Sequence, residues 1–261
     1  MQKFSMAVAK IEMFRQAEGL LLGGTGTAFF YKSNNETFLV TNWHNVTGVN
    51  AVTGKTIHSQ GLLPNLLRIH YKQLIDVDKN MIRSQHRDIP LYCKNEPVWL
   101  EHSKRSGVDV VAIPLFVSEF ENFANECINT IDQEAGLEVA AGMDCYILGF
   151  PENLIGAANT PIWKRGSIAS EPYQQHPYFI DSATRKGMSG APVIARHTGI
   201  FGMKGQTMTG NEIIGTVEKF IAIYSGRVGD DELGFQLGTA WQANVLDDIL
   251  SVKTPGKHPL L

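Results

Sequence analysis

The chain has 261 residues, is 43% hydrophobic and carries a formal net charge of −3 at pH 7. That length and apolar content suffice for a full core in one or two domains. The near-neutral balance gives no electrostatic case for nucleic acid or for an anionic membrane surface, and the isolated pairs Lys104-Arg105 and Arg185-Lys186 are read as solvated.

Short apolar runs recur between clusters of Gly, Pro, Asn and Asp, which is the all-β pattern. Residues 7–14 and 20–22 open a first lobe. Residues 25–31 and 37–41 form a hairpin around the polar loop 32–36. After 37–41 the chain turns briefly at 44–50 and enters a long insertion, 51–107, with strands expected at 66–70, 89–92 and 98–100 and Trp99 as a core anchor. Residues 119–129 are a short helix or an irregular link. A second lobe begins near Leu137, with strands expected at 139, 144–148, 162–170, 177–180, 191–195, 200–204 and 220–224. Trp241, Val245, Leu246, Ile249 and Leu250 recur at helical spacing, predicting an amphipathic helix over about 240–251 that packs on the second lobe. The tail from Thr254 is expected to fray. The division expected is 1–130 and 131–261.

The chemistry-bearing residues sit at the ends of these elements. Thr41-Asn-Trp-His44 closes an apolar strand. Gly107-Val-Asp109 opens another. Asp181-Ser-Ala-Thr-Arg-Lys-Gly187-Met-Ser189-Gly190 places a serine between glycines, between two strands. A serine hydroxyl needs a base for its proton and donors for an oxyanion, and flanking glycines permit the turn that aims backbone N–H groups at one point. The order His44, Asp109, Ser189 is one in which a Ser-His-Asp triad is assembled. The three cysteines, Cys93, Cys127 and Cys145, are too scattered for a disulfide framework or a zinc set, and Cys145 is expected as a small buried hydrophobe. No His-Glu-x-x-His spacing points to a metal, and no cofactor is expected. The lack of an apolar leader or a span-length run fits a reducing, cytoplasmic setting.

On Gly23-Gly-Thr-Gly-Thr-Ala-Phe-Phe30, Phe38-Leu-Val-Thr-Asn-Trp-His44, Val108-Asp109-Val-Val-Ala-Ile-Pro-Leu115, Leu148-Gly-Phe-Pro151, Gly166-Ser-Ile-Ala-Ser170 and Gly187-Met-Ser189-Gly-Ala-Pro192, the chain resembles the trypsin-like (chymotrypsin-fold) serine peptidases, in their bacterial, disulfide-free branch. The resemblance implies an all-β fold of two six-stranded antiparallel barrels with a C-terminal helix, the site lying in the cleft between them. It implies Ser189 as nucleophile, His44 as general base, Asp109 as its orienting acid, and the N–H groups of Gly187 and Ser189 as oxyanion hole. The substrate implied is a polypeptide in extended conformation, paired along strand edges. Ala183 and Thr184 stand where the family has the base of its primary pocket, and Tyr224, Ser225 and Gly226 resemble its substrate-pairing segment; Gly199-Ile-Phe-Gly202 is the competing assignment. Such a pocket is neutral and suits a small or apolar residue before the cut.

The chain also departs from the family. Asn45 and Arg185 replace two cysteines, and Met188 replaces the aspartate that pairs with a newly cut N-terminus. Three readings follow: an active endopeptidase, a catalytically silent binding module, and an enzyme latent until a partner or a cut elsewhere orders the oxyanion loop, with 51–107 as the natural docking place for a regulator.

Overall fold

The computed structural model describes residues 2–76, 78–79, 81–104, 107–133, 136–173, 176–201, 213–228 and 236–259. A one-turn helix α1 (Lys3–Met6) leads into strands β1 (Val8–Gln16), β2 (Leu20–Ser33) and β3 (Glu36–Thr41), then helix α2 (Trp43–Thr47). Strands β4 (Leu66–Asp76), β5 (Met81–Pro90), β6 (Tyr92–Cys93), β7 (Glu96–Pro97), β8 (Leu100–Glu101) and β9 (Val111–Leu115) follow. The second half holds β10 (Asp144–Gly149), β11 (Ile162–Ile168), β12 (Tyr178–Asp181), β13 (Pro192–Phe201), β14 (Ile213–Arg227) and β15 (Leu237–Gln242). Helix α3 (Val245–Val252) and strand β16 (Thr254–Pro255) end the chain.

The fold is all-β with a C-terminal helix, as the sequence predicts. The second half closes into a six-stranded antiparallel barrel, β10-β11-β12-β15-β14-β13. The first half forms one sheet in the order β16-β8-β9-β3-β2-β1-β4-β5, six long strands extended at one edge by the two-residue strands β8 and β16. Hairpin β2–β3 turns on Asn34 and Asn35, both at positive φ (47° and 64°), the geometry a two-residue turn needs to match strand twist.

Alternation along the first sheet explains its near-continuous apolar runs. Ala9, Ile11, Ala28, Phe30, Leu39 and Val111 point to one side, into the first lobe's own core. Their neighbours Val8, Phe29, Val40 and Ala112 point to the other, into a core shared with Leu148, Phe150, Ile194, Phe220 and Ile223 of the barrel. Successive side chains must face opposite ways, so a strand buried on both faces has no polar positions to spare. Phe29 and Phe220 meet edge to face at 5.2 Å across the lobes, a pair contributing about 0.5–1.5 kcal/mol beyond burial. The barrel interior is a third core, built on Cys145, Ile147, Ile168, Ile180, Val193 and Ala222, with Cys145 fully buried as expected.

Several expectations are corrected. Residues 51–107 are not an insertion: β4 pairs with β1 and β5 with β4 as integral strands of the first sheet. Most of β5 (Met-Ile-Arg-Ser-Gln-His-Arg-Asp-Ile-Pro) escapes a hydrophobic reading because it is an edge strand, largely polar and held by pairing to β4 and the Arg68–Asp88 ion pair at 2.7 Å. Of the two readings of 119–129 the irregular link holds: residues 120–127 run between two single 3₁₀ turns, with Phe120 and Phe123 packed edge-on to Tyr71 and Phe30. Helix α3 starts at Val245, because Trp241 belongs to β15. Its apolar stripe enters the inter-lobe core beside Val110 and Ala112 rather than covering the second lobe alone. The tail does not fray at Thr254: β16 pairs with β8, and Gly256 donates to Trp99 O at 2.9 Å. The runs expected at 191–195 and 200–204 join as one strand, β13, and 202–204 lie outside the described residues.

Candidate active site

His44 leaves β3 on the first turn of α2. Gly48 closes that turn in the left-handed region (φ 72°), its N–H bonded to His44 O. The side chain of Asn42 donates to Asp109 O at 2.7 Å, tying the segment before His44 to the one before β9. Asp109 is buried, its side chain 7% exposed. Its Oδ1 accepts the His44 backbone N–H at 2.9 Å, and its Oδ2 accepts His44 Nδ1–H at 2.6 Å and Ser225 Oγ–H at 2.5 Å. A buried carboxylate is tolerated when such donors replace its water. Because a carboxylate accepts, Nδ1–H is the donor of this pair, and Nε2 is the ring nitrogen left for another partner.

Ser189 is held by its backbone. Its carbonyl accepts Thr27 N–H at 2.9 Å and Asn45 Nδ2–H at 3.1 Å, both from the first lobe. Its hydroxyl donates to Ser225 O at 3.3 Å. Gly190 (φ 87°) has no room for a side chain: a Cβ there would lie 2.1 Å from Thr27 O. Gly187 (φ 90°) is equally constrained, with Phe150 O at 2.3 Å from such a Cβ. The Gly187 carbonyl accepts Thr27 Oγ1–H at 2.7 Å, and the Lys186 carbonyl accepts Glu152 N–H at 2.8 Å. In a trans peptide C=O and N–H point opposite ways, so the latter contact turns the Gly187 N–H away from Glu152. Among the described residues, neither Gly187 N–H nor Ser189 N–H has a hydrogen-bond acceptor. Met188, in the place of the expected aspartate, is fully buried in the barrel core.

His44, Asn45, Lys186, Gly187 and Ser189 border one cavity of about 510 Å³, walled on the far side by Met13, Ile57, Leu62 and Pro64. The structure thus brings His44, Asp109, Ser189, Gly187 and Ser225 together. Ser225, expected as pocket wall, has its hydroxyl on Asp109 instead. Thr184 and Tyr224 are buried with hydroxyls 2.5 Å apart, and Ala183 is half-buried beside them. Burial raises the Tyr224 hydroxyl above its ordinary pKa. Tyr224 also accepts Gly190 N–H at its carbonyl, so 224–226 borders the serine. Gly199, the start of the competing segment, pairs with Gly215 farther along the β13–β14 ribbon, and Gly202 lies outside the described residues. The sequence reading gives Thr27, Asn42 and Asn45 no part in the site, because each acts across a tertiary contact that no local pattern marks. Among the described residues no cluster of His, Cys, Asp or Glu could hold a metal ion, and no helix is long and apolar enough to cross a membrane.

No family model matches the chain, and no curated protein matches it. Solved structures do. The crystal structure of a thermostable serine protease, AL20, from an extremophilic microorganism is 10% identical, with a TM-score of 0.50 over 96% of this chain and 98% of that one. The inactive form of Rv3671c from M. tuberculosis, carrying a serine-to-alanine substitution, is 16% identical, with a TM-score of 0.48 over 95% of this chain and 87% of that one. At 10% identity the likeness to AL20 concerns fold alone: the chain has an all-β, chymotrypsin-like fold.

Proposed function

We propose that the chain is a serine endopeptidase. The observation that supports this best is the hydrogen-bonded array Ser225–Asp109–His44, opening on the cavity that Ser189 shares with two unengaged backbone N–H groups. In this reading the Ser189 hydroxyl turns from Ser225 O toward His44 Nε2 and attacks the scissile carbonyl. His44 takes the proton and Asp109 stabilises the imidazolium. The N–H groups of Gly187 and Ser189 receive the oxyanion, and His44 then protonates the leaving amine. Water repeats the sequence to release the acyl group.

The extended-peptide reading is supported by the Ser225–Arg227 stretch of β14, which pairs with β15 on one side and extends past the last partner of β13 on the other. The latent-enzyme reading gains no support, since the Lys186 carbonyl is already drawn onto Glu152 N–H and Met188 is seated without a charged partner. A fluorophosphonate probe is expected to label the protein at Ser189 and to label neither Ser189→Ala nor His44→Ala at a comparable rate. Labelling that survives Ser189→Ala overturns the assignment. Absence of both labelling and cleavage of unfolded protein leaves the binding-module reading.

A further inference from the structure

Lys72 is a cation that the chemistry above does not use. It lies on β4, in the first lobe, and is only 3% exposed. Its ammonium donates to Ala158 O at 2.8 Å and Asn159 O at 2.6 Å, and among the described residues no carboxylate pairs with it. Glu12, the acid of the neighbouring strand β1, is committed to Lys10 at 3.1 Å and His70 at 3.0 Å. Lys72, Lys10, His70 and Ser84 line a cavity of about 110 Å³ together with Phe150, Ile155 and Asn159 of the second lobe. A buried lysine whose ammonium, among the described residues, is held by two consecutive carbonyls is placed to hold that piece of backbone.

The backbone it holds is unusual. Glu152, Asn153, Ala158 and Asn159 all have positive φ (47°, 63°, 54° and 55°). Without a glycine among them, such conformations persist only when the surroundings over-determine them. Lys72 fixes one end of this loop. At the other end Phe150 O closes over Gly187, and Glu152 N–H bonds the Lys186 carbonyl. A continuous route therefore runs from the Lys72 ammonium through loop 150–159 to the peptide bond that carries the Gly187 N–H.

We propose that Lys72 is a positioning residue for the oxyanion site, holding loop 150–159 from the opposite lobe so that Glu152 keeps the Lys186-Gly187 peptide bond turned with its N–H toward the cavity. The inference rests on the peptidase reading for its kinetic consequence, but not for its structural one. The structural test is backbone hydrogen exchange over 150–159 in Lys72→Met. The Glu152 N–H is expected to exchange at least about 10-fold faster than in wild type, and in Lys72→Arg, which keeps charge and donors, to stay near it. The kinetic test expects kcat for a peptide substrate to fall about 10- to 100-fold in Lys72→Met, with KM within about threefold. Affinity for a peptidyl boronate, which fills the oxyanion position, should fall in step with kcat. If Lys72→Met does not fold, Lys72→Gln, which retains an uncharged donor, replaces it and is expected to give an intermediate effect. Wild-type exchange at Glu152, or a kcat loss not matched in boronate affinity, overturns the proposal. If wild type itself shows no turnover and no fluorophosphonate labelling, the peptidase reading fails, and exchange at Glu152 still decides the clamp.

Discussion

Ser225 and Tyr224 are adjacent in sequence and face opposite tasks. The Ser225 hydroxyl bonds the same Asp109 oxygen that takes the His44 proton contact. A hydrogen bond to a charged group contributes about 1.5–3 kcal/mol, and each 1.36 kcal/mol is about tenfold in rate. Ser225→Ala is therefore expected to lower kcat by about 10- to 100-fold while leaving KM nearly unchanged, measured on a peptide substrate. Tyr224 points inward, where its hydroxyl meets Thr184 and its ring crowds Gly238, a Cβ on which would lie 2.4 Å from the ring. On the peptidase reading proposed above, the phenol beside Thr184 narrows the primary pocket and restricts the residue before the cut to Ala, Gly or Ser. Cleavage profiling should show that preference in wild type and a shift toward larger apolar residues in Tyr224→Ala; an unchanged profile rejects the filling role. His44, Asp109 and Ser189 are legible in the chain because each marks an element end. The partner of Ser225 is not, because a serine in Ile-Tyr-Ser-Gly carries no mark of what its hydroxyl touches.

The loop between β12 and β13, which carries Gly187 and Ser189, owes its shape to other elements. Thr27 of β2 supplies a hydroxyl to Gly187 O and an N–H to Ser189 O, and loop 150–159 covers the other side. Gly187→Ala is expected to lower kcat about 10²–10³-fold, the loss typical of one oxyanion donor, because the backbone must move away from Phe150 O. Gly190→Ala strikes the contact between lobes, with its Cβ driven onto Thr27 O and Thr41 Oγ1. It is expected to destabilise the fold by about 2–4 kcal/mol in urea titration, combining left-handed strain with overpacking. Gly54 and Gly61 have similar φ (67° and 69°) with open space around them, so alanine there should cost about 1–2 kcal/mol at most. Sequence pattern locates the strands that are apolar on one or both faces. It misses β5, whose edge position leaves it polar, and it extends α3 backwards, because Trp241 continues a helical spacing while serving a strand.

The whole molecule is two lobes held by a shared core and a few buried polar ties, and Lys72 is the tie whose charge depends on mild pH. Burial without a carboxylate partner pushes its pKa down to about 8 from 10.5. Between those values the unfolded chain holds a proton that the folded chain has released, so stability rises with pH through that window. The contribution is absent below pH 8 and reaches about 3 kcal/mol above pH 10.5, of which about 1 kcal/mol accrues between pH 7 and 9. Burial raises Tyr31, Tyr92, Tyr178 and Tyr224, and also Cys127 and Cys145. For these groups the sign reverses: their contribution is present below the unfolded value and lost as pH rises, starting near 9 for the thiols and 10 for the phenols. They titrate alike in wild type and Lys72→Met, so the difference between the two proteins isolates the lysine. Urea titrations at pH 7, 8 and 9 should show wild type gaining about 1 kcal/mol relative to Lys72→Met across the series. A constant difference would mean that the ammonium titrates normally, and hence that water reaches it at the point where the two lobes close on loop 150–159.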